Sequence, residues 1–211
     1  MEWGFEQSNQ DQLLFFYRDG DKFINLLLVV DDMAFASNDR QLLEWFKGIL
    51  SDTFNVKLLG TLQMFIGWEL THSRHGIYLG QEKYVKRFLV DTDMLHVKPV
   101  STPLPTKCNI SSITSKDEKL TPENHHRYRS LIGGISYLAI CTRPDISFAV
   151  SVLSRQLHAP AKRHFVLAKR VVRYIAGTAD KRIFYRRSQA NSEPLIAYAD
   201  ADWVGDHDMR R

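Results

Sequence analysis

Cysteine is scarce: Cys108 and Cys141 are the only two in 211 residues. Two cysteines cannot build a disulfide framework, and neither has His or Cys partners at zinc-binding spacing. Long apolar runs are missing as well. The most conspicuous, residues 26–30, falls far short of the roughly 20 residues that cross a bilayer. The opening MEWGFEQSNQ lacks the basic and then apolar pattern of a secretion signal. These absences lead us to expect a soluble intracellular protein, cytoplasmic or nuclear, with no membrane partner. Charge imbalance is slight too. Lys and Arg number 28 against 24 Asp and Glu, a net charge of +4, and the isoelectric point is near 9.0. A charge this small suits a polyanion only if it is concentrated somewhere.

What is present is an ordinary globular composition, 44% hydrophobic and 25% charged, long enough for a sizeable core. Residues 13–17, 23–30 and 33–36 read as three strands, the first two separated by Arg18-Asp19-Gly20-Asp21. The spacing puts Asp31 and Asp32 at the tip of a tight hairpin. Asn38 then reads as an N-cap with Gln41 as its capping-box partner. Leu42, Phe46, Ile49 and Leu50 follow on one helical face. Strands over 63–70 and 76–79 and a helix over 81–90 come next. Residues 97–127, rich in Pro, Ser and Thr, read as a long excursion. Helices are expected from Pro144 to about Leu157 and over 161–175, with Gly177 at the C-cap, then strands over 182–186 and 195–198.

Asp31-Asp32 is the sharpest chemical feature. Two adjacent carboxylates on a rigid hairpin are costly to ionise together unless a cation neutralises them, and magnesium prefers such oxygen ligands. A solvent-exposed acidic turn is the commoner explanation of the dipeptide alone. The stretch LLLVVDDMAFASND (26–39) resembles the Y-x-D-D hairpin of copia-type retrotransposon reverse transcriptases. FIGWEL (65–70) is similar to their primer-grip segment. YLGQEKYVKRFL, TPL, YRSLIGGISYLA, TRPDISFAVSVLSRQLHAP, LAKRVVRYIAGT and YADADWVGD then follow in the order of a copia-type Pol polyprotein.

The resemblance implies an RNA-directed DNA polymerase running into RNase H. It makes Asp31 and Asp32 the second and third metal-binding aspartates of the polymerase site, and Phe65, Ile66, Gly67 and Trp68 the primer grip. Asp200 corresponds to the first metal-binding aspartate of RNase H. Mg2+ is the implied cofactor, with Mn2+ as an alternative. A template–primer of RNA or DNA, deoxynucleotide triphosphates and the remainder of a Pol polyprotein are the implied partners. Val29 stands where the motif has tyrosine. The first polymerase aspartate is expected upstream of Met1, and the remaining RNase H ligands beyond Arg211. Little or no polymerase activity is therefore expected of this chain alone.

The expected fold is α+β: a partial palm over 1–70 and a mainly helical thumb and connection over 71–188. The opening strand of an RNase H-like domain is expected over 189–211. Lys162, Lys169, Arg170 and Arg173 form a stripe opposite the apolar face of the 161–175 helix, a candidate for phosphate contact, although a solvated helix face needs no partner. The alternative to an enzyme piece is a relic or repurposed fragment that only binds nucleic acid. His72 with His75, and His125 with His126, have no carboxylate or cysteine to complete a metal site. Trp45 and Trp68 read as packing residues, and Gly133-Gly134 as close helix packing or a bend.

Overall fold

The computed structural model describes residues 3–106, 118–187 and 197–199. It is a mixture of helices and antiparallel sheets, α+β as expected. Two compact units divide it, Met1–Ile66 and Gly67–Arg211.

The first unit is an antiparallel sheet with one helix. Strands β1 (Glu6–Gln7), β2 (Leu14–Asp19), β3 (Lys22–Val29) and β4 (Asp32–Ser37) lie in sequence order. Short turns set that order, because each returns the chain beside the strand just left. Helix α1 (Arg40–Thr53) buries Phe46 and Leu50. They join Phe5, Phe15 and Ile24 in the core. Edge-on and tilted contacts of Phe46 with Phe35 and Phe5 bind helix to sheet, with ring centroids 5.3 and 5.0 Å apart. One expectation needs correction here. Asp39, not Asn38, is the N-cap, its carboxylate accepting from the Leu42 amide at 2.8 Å. Asn38 instead stitches the β2–β3 turn to β4, accepting from the Phe23 amide and donating to the Asp21 carbonyl.

The chain then passes through the two-residue strand β5 (Met64–Phe65). The expected single strand over 63–70 is broken, because Ile66 and Gly67 both take positive φ, 44° and 85°. In the second unit β6 (Trp68–Ser73), β7 (Gly76–Gly80) and β8 (Ile183–Arg186) form an antiparallel sheet, so β8 arrives from far along the chain. Four helices build the main core: α2 (Glu82–Asp91), α3 (Pro122–Cys141), α4 (Ser147–Ser154) and α5 (Lys162–Ala176). A 3-10 turn, Pro144–Ile146, joins α3 to α4.

Helix α3 corrects the boundary of the expected excursion, since Thr121 caps it and Pro122 opens it, within the stretch 97–127. Its buried residues Tyr128, Leu131, Ile132, Ile135 and Leu138 make it the centre of the core.

The two glycines in the middle of α3 have opposite reasons to be there. A Cβ on Gly134 would come within 2.2 Å of the Phe88 ring, whereas one on Gly133 meets nothing within 4 Å. Alanine favours a helix by about 1 kcal/mol over glycine. Gly133→Ala is therefore expected to stabilise the protein by about 0.5–1 kcal/mol. Gly134→Ala gains the same propensity but must displace a buried ring, and a net loss of about 2 kcal/mol is expected. Denaturant unfolding of both variants checks this. Equal shifts would mean that Phe88 does not hold that position.

Candidate functional site

The hairpin between β3 and β4 carries the aspartate pair. Val29 pairs with Asp32, so the two-residue loop is Val30-Asp31 and Asp32 is the first residue of β4. The expectation of both aspartates at the tip is thus corrected by one residue. A loop this short needs positive φ at its first position, which is normally glycine's. Valine takes it here at φ 54°, with its side chain 87% exposed. A β-branched residue in that region is strained by about 1–2 kcal/mol. Strain of this kind concentrates at working sites, where the surroundings impose it. Both aspartates are exposed.

Two exposed carboxylates are hard oxygen donors, which fits a cation such as magnesium. Such an ion commonly takes one or two protein carboxylates and completes its octahedron with water and substrate phosphate. Among the described residues no group of three or more His, Cys, Asp or Glu side chains is placed to hold a metal. The pair alone is what the described chain offers. Asp200 lies outside the described residues.

The second cluster is the turn between β5 and β6. Phe65 is buried, Ile66 is 38% exposed, and Trp68 is half-buried at the start of β6. Gly67 is required twice over: its φ is 85°, and a Cβ there would lie 3.0 Å from the Tyr137 hydroxyl. Tyr137, on α3, is a residue the sequence reading passes over, and no local signal marks it because its partner is seventy positions away. Burial raises the pKa of its hydroxyl, and the Trp68 and Gln81 side chains partly oppose that rise. Gln81 is itself buried and accepts from the Thr142 hydroxyl at 2.7 Å. The hydroxyl of Tyr84, also half-buried, donates to the Gly134 carbonyl. The Ile66-Gly67 turn therefore runs into a strand whose start is packed on a polar seam of α3.

The basic stripe of α5 exists, but it is more occupied than expected. Lys162 pairs with Glu118. Lys169 lies over the Phe165 ring at 4.2 Å. Arg170 donates to the Thr102 hydroxyl at 3.0 Å, and Arg173 to the Lys98 carbonyl at 2.7 Å. Pro99 packs on Gly177, where a Cβ would come within 2.7 Å of the proline ring. Two of the four cations thus strap the Pro-rich segment to the helix, and the exposed pair is Lys162 and Lys169.

An aspartate-bearing hairpin on an antiparallel sheet, followed by a helical unit with a basic helix, is the kind of architecture a nucleic-acid polymerase uses. Residues 1–106 match the family described as reverse transcriptase (RNA-dependent DNA polymerase), and this chain belongs to that family. It is 40% identical over 207 residues to the Retrovirus-related Pol polyprotein from transposon RE2 of Arabidopsis thaliana, covering 97% of this chain. It is 38% identical over 195 residues to the corresponding polyprotein from transposon TNT 1-94 of Nicotiana tabacum, covering 90% of this chain. In each case the chain spans 14% of the polyprotein's length. An uncharacterized mitochondrial protein of Arabidopsis thaliana is 38% identical over 187 residues, 88% of this chain and 74% of that protein. No solved structure matches the chain. The resemblance to copia-type Pol polyproteins drawn from the motifs therefore stands. Among the described residues no helix is long and apolar enough to cross a membrane.

Proposed function

We propose that this chain supplies part of a retrotransposon reverse transcriptase, with Asp31 and Asp32 as two of its metal-binding carboxylates. The observation that carries this reading is the exposed, strained hairpin presenting both aspartates, inside the segment that belongs to the reverse-transcriptase family. When bound, Mg2+, or Mn2+ in its place, would stabilise the attacking and leaving oxygens of phosphoryl transfer from a deoxynucleotide triphosphate. In this reading residues 1–70 are palm, 71–188 thumb and connection, and 189–211 the start of an RNase H-like domain with Asp200 as a metal ligand. Phe65, Ile66, Gly67 and Trp68 hold the primer end. The remainder of a Pol polyprotein is the partner. Of the stripe on α5, Lys162 and Lys169 face the template–primer, a duplex of RNA or DNA with a growing DNA strand, while Arg170 and Arg173 hold the Pro-rich segment beside them.

Binding and catalysis separate in the test. The 211-residue chain is expected to bind an RNA–DNA template–primer with affinity that falls steeply with salt. Replacing the exposed Lys162 and Lys169 with alanine should lower the slope of log affinity against log salt by about 1.5–2, from about 0.9 per phosphate contact. Salt-independent affinity, or an unchanged slope, would remove α5 from the interface. With Mg2+ and deoxynucleotide triphosphates, the chain alone is expected to give no primer extension, because two carboxylates do not complete a two-metal site. Robust extension by the chain would show that the site is complete within it.

A further inference from the structure

One face of the second sheet combines cations and aromatic rings. The register β6–β7–β8 sets Thr71 beside Tyr78 and Tyr78 beside Phe184, with Gly76 beside Arg186. Side chains two apart on a strand share a face and lie about 7 Å apart. Phe184 and Arg186 on β8, and Arg182 just before it, therefore fall at alternate positions on the face that carries Tyr78. Phe184 and Tyr78 stack with centroids 4.5 Å apart and planes at 26°, and they remain 41% and 38% exposed.

Two glycines of β7 make this surface possible. A Cβ on Gly76 would lie 2.9 Å from the Phe184 ring, and one on Gly80 would lie 2.8 Å from the Arg182 side chain. The Phe184 ring and the aliphatic stem of Arg182 thus take up the space over the central strand that side chains at 76 and 80 would fill. Arg182 is held there by the Thr71 hydroxyl at 2.8 Å and the Glu82 carboxylate at 3.4 Å. The acids nearby are engaged: Glu82 also pairs with Lys86, and Glu69 accepts from the Lys83 amide. Arg186 and Arg187 are exposed at the end of β8.

From this arrangement we propose that the Tyr78–Phe184 face, with Arg182 and Arg186 flanking it, is a docking surface for an unpaired polynucleotide strand. Its bases stack on the exposed rings and its phosphates meet the arginines. A stacked aromatic pair with an open outer face, bordered by cations, can extend its stack to a base and so bind single strands without reading sequence, because every base has a stackable face. Paired bases hide those faces, so the surface is selective for single strands. The proposal builds on the nucleic-acid role above but uses neither α5 nor the aspartate hairpin, and the two stand or fall separately.

The test is binding of a twelve-nucleotide oligo(dT) and of a blunt duplex to the 211-residue chain at low salt. Phe184→Val is expected to weaken oligo(dT) binding about ten-fold while changing duplex affinity less than two-fold. Phe184→Trp should retain the binding, with indole fluorescence quenched by oligo(dT). This aromatic rescue separates stacking from a folding defect. Arg186→Gln should weaken oligo(dT) and reduce the salt dependence. Equal losses on both ligands with Phe184→Val, failure of the Trp rescue, or no affinity for oligo(dT) would each overturn the proposal, the last leaving the face to a protein partner. Loss of duplex binding alone on changing Lys162 and Lys169 would bear on α5 and leave this surface intact.

Discussion

Asparagine at position 31 is expected to cut primer extension by about a thousand-fold or more when this chain replaces the matching segment of an active transposon Pol polyprotein. The substitution keeps the size and shape of the side chain and one carbonyl oxygen. It removes the negative charge that a divalent cation needs from a ligand with little other protein support. Asp32→Asn is expected to do the same, since both carboxylates are exposed on the same short hairpin. Stability should barely move, within about 0.5 kcal/mol, as for other exposed substitutions. The β2–β3 turn supplies the control, because it too is acidic and exposed: Asp19 and Asp21 flank Gly20 there. If Asp21→Asn lowers extension as much as Asp31→Asn, the aspartate hairpin is only another acidic turn. If Asp31→Asn leaves extension intact, the metal-binding assignment fails outright. Thermal unfolding run beside the kinetics keeps loss of chemistry distinct from loss of fold.

Legibility from sequence differed sharply between elements. Strands β2 to β4 fall within one or two residues of their expected bounds, because Gly20 marks one turn and Asp31 the other. Helix α5 was readable for the same kind of reason: Ala168, Val172 and Ile175 all face inward at helical spacing. Helix α3 was not anticipated, although Tyr128, Leu131, Ile135 and Leu138 have helical spacing too. The Gly133-Gly134 pair reads as close helix packing or a bend; the packing reading holds for Gly134, and the fold adds that Phe88 is what it receives. The aspartate hairpin was visible but misplaced by one residue, since valine at positive φ contradicts local preference and only the pairing of Val29 with Asp32 reveals it. Tertiary partners were illegible in principle. Nothing near Arg170 or Arg173 announces that Thr102 and Lys98 will occupy them, about seventy positions away. Nothing near Tyr78 announces Phe184 either, because β8 joins its sheet from the far side of four α-helices in sequence.

The TRPD segment is read for its family resemblance and for Pro144 as a helix start, yet it also holds a buried arginine in the described core. The Arg143 side chain is 2% exposed. Its guanidinium donates to both oxygens of Asp145, each at 2.9 Å, and to the carbonyl and hydroxyl of Thr178 at 2.9 and 2.7 Å. Tyr174 donates to the same carboxylate at 2.7 Å. The 3-10 turn is thereby locked to the C-terminal end of α5. Arg143→Met fills much the same volume but leaves Asp145 without its fork and Thr178 without its donors. A loss of about 3 kcal/mol is expected, the range for breaking one side of a buried pair. For a chain this size that is about 6–12 °C in Tm. Arg143→Lys keeps the charge without the bidentate geometry and should recover less than half of it. Partial burial pushes the Asp145 carboxyl up, but the hydrogen bonds from Arg143 and Tyr174 and the charges of Arg143 and Lys181 outweigh it, leaving it below the ordinary value of 3.8. A depressed carboxyl contributes stability above its unfolded value and loses it as pH falls through the folded one. The gap between wild type and Arg143→Met should therefore be full at pH 7 and shrink below about pH 4. A gap that stays constant down to pH 2 would mean that Arg143 stabilises by packing alone, and a loss under about 1 kcal/mol would mean that water replaces it.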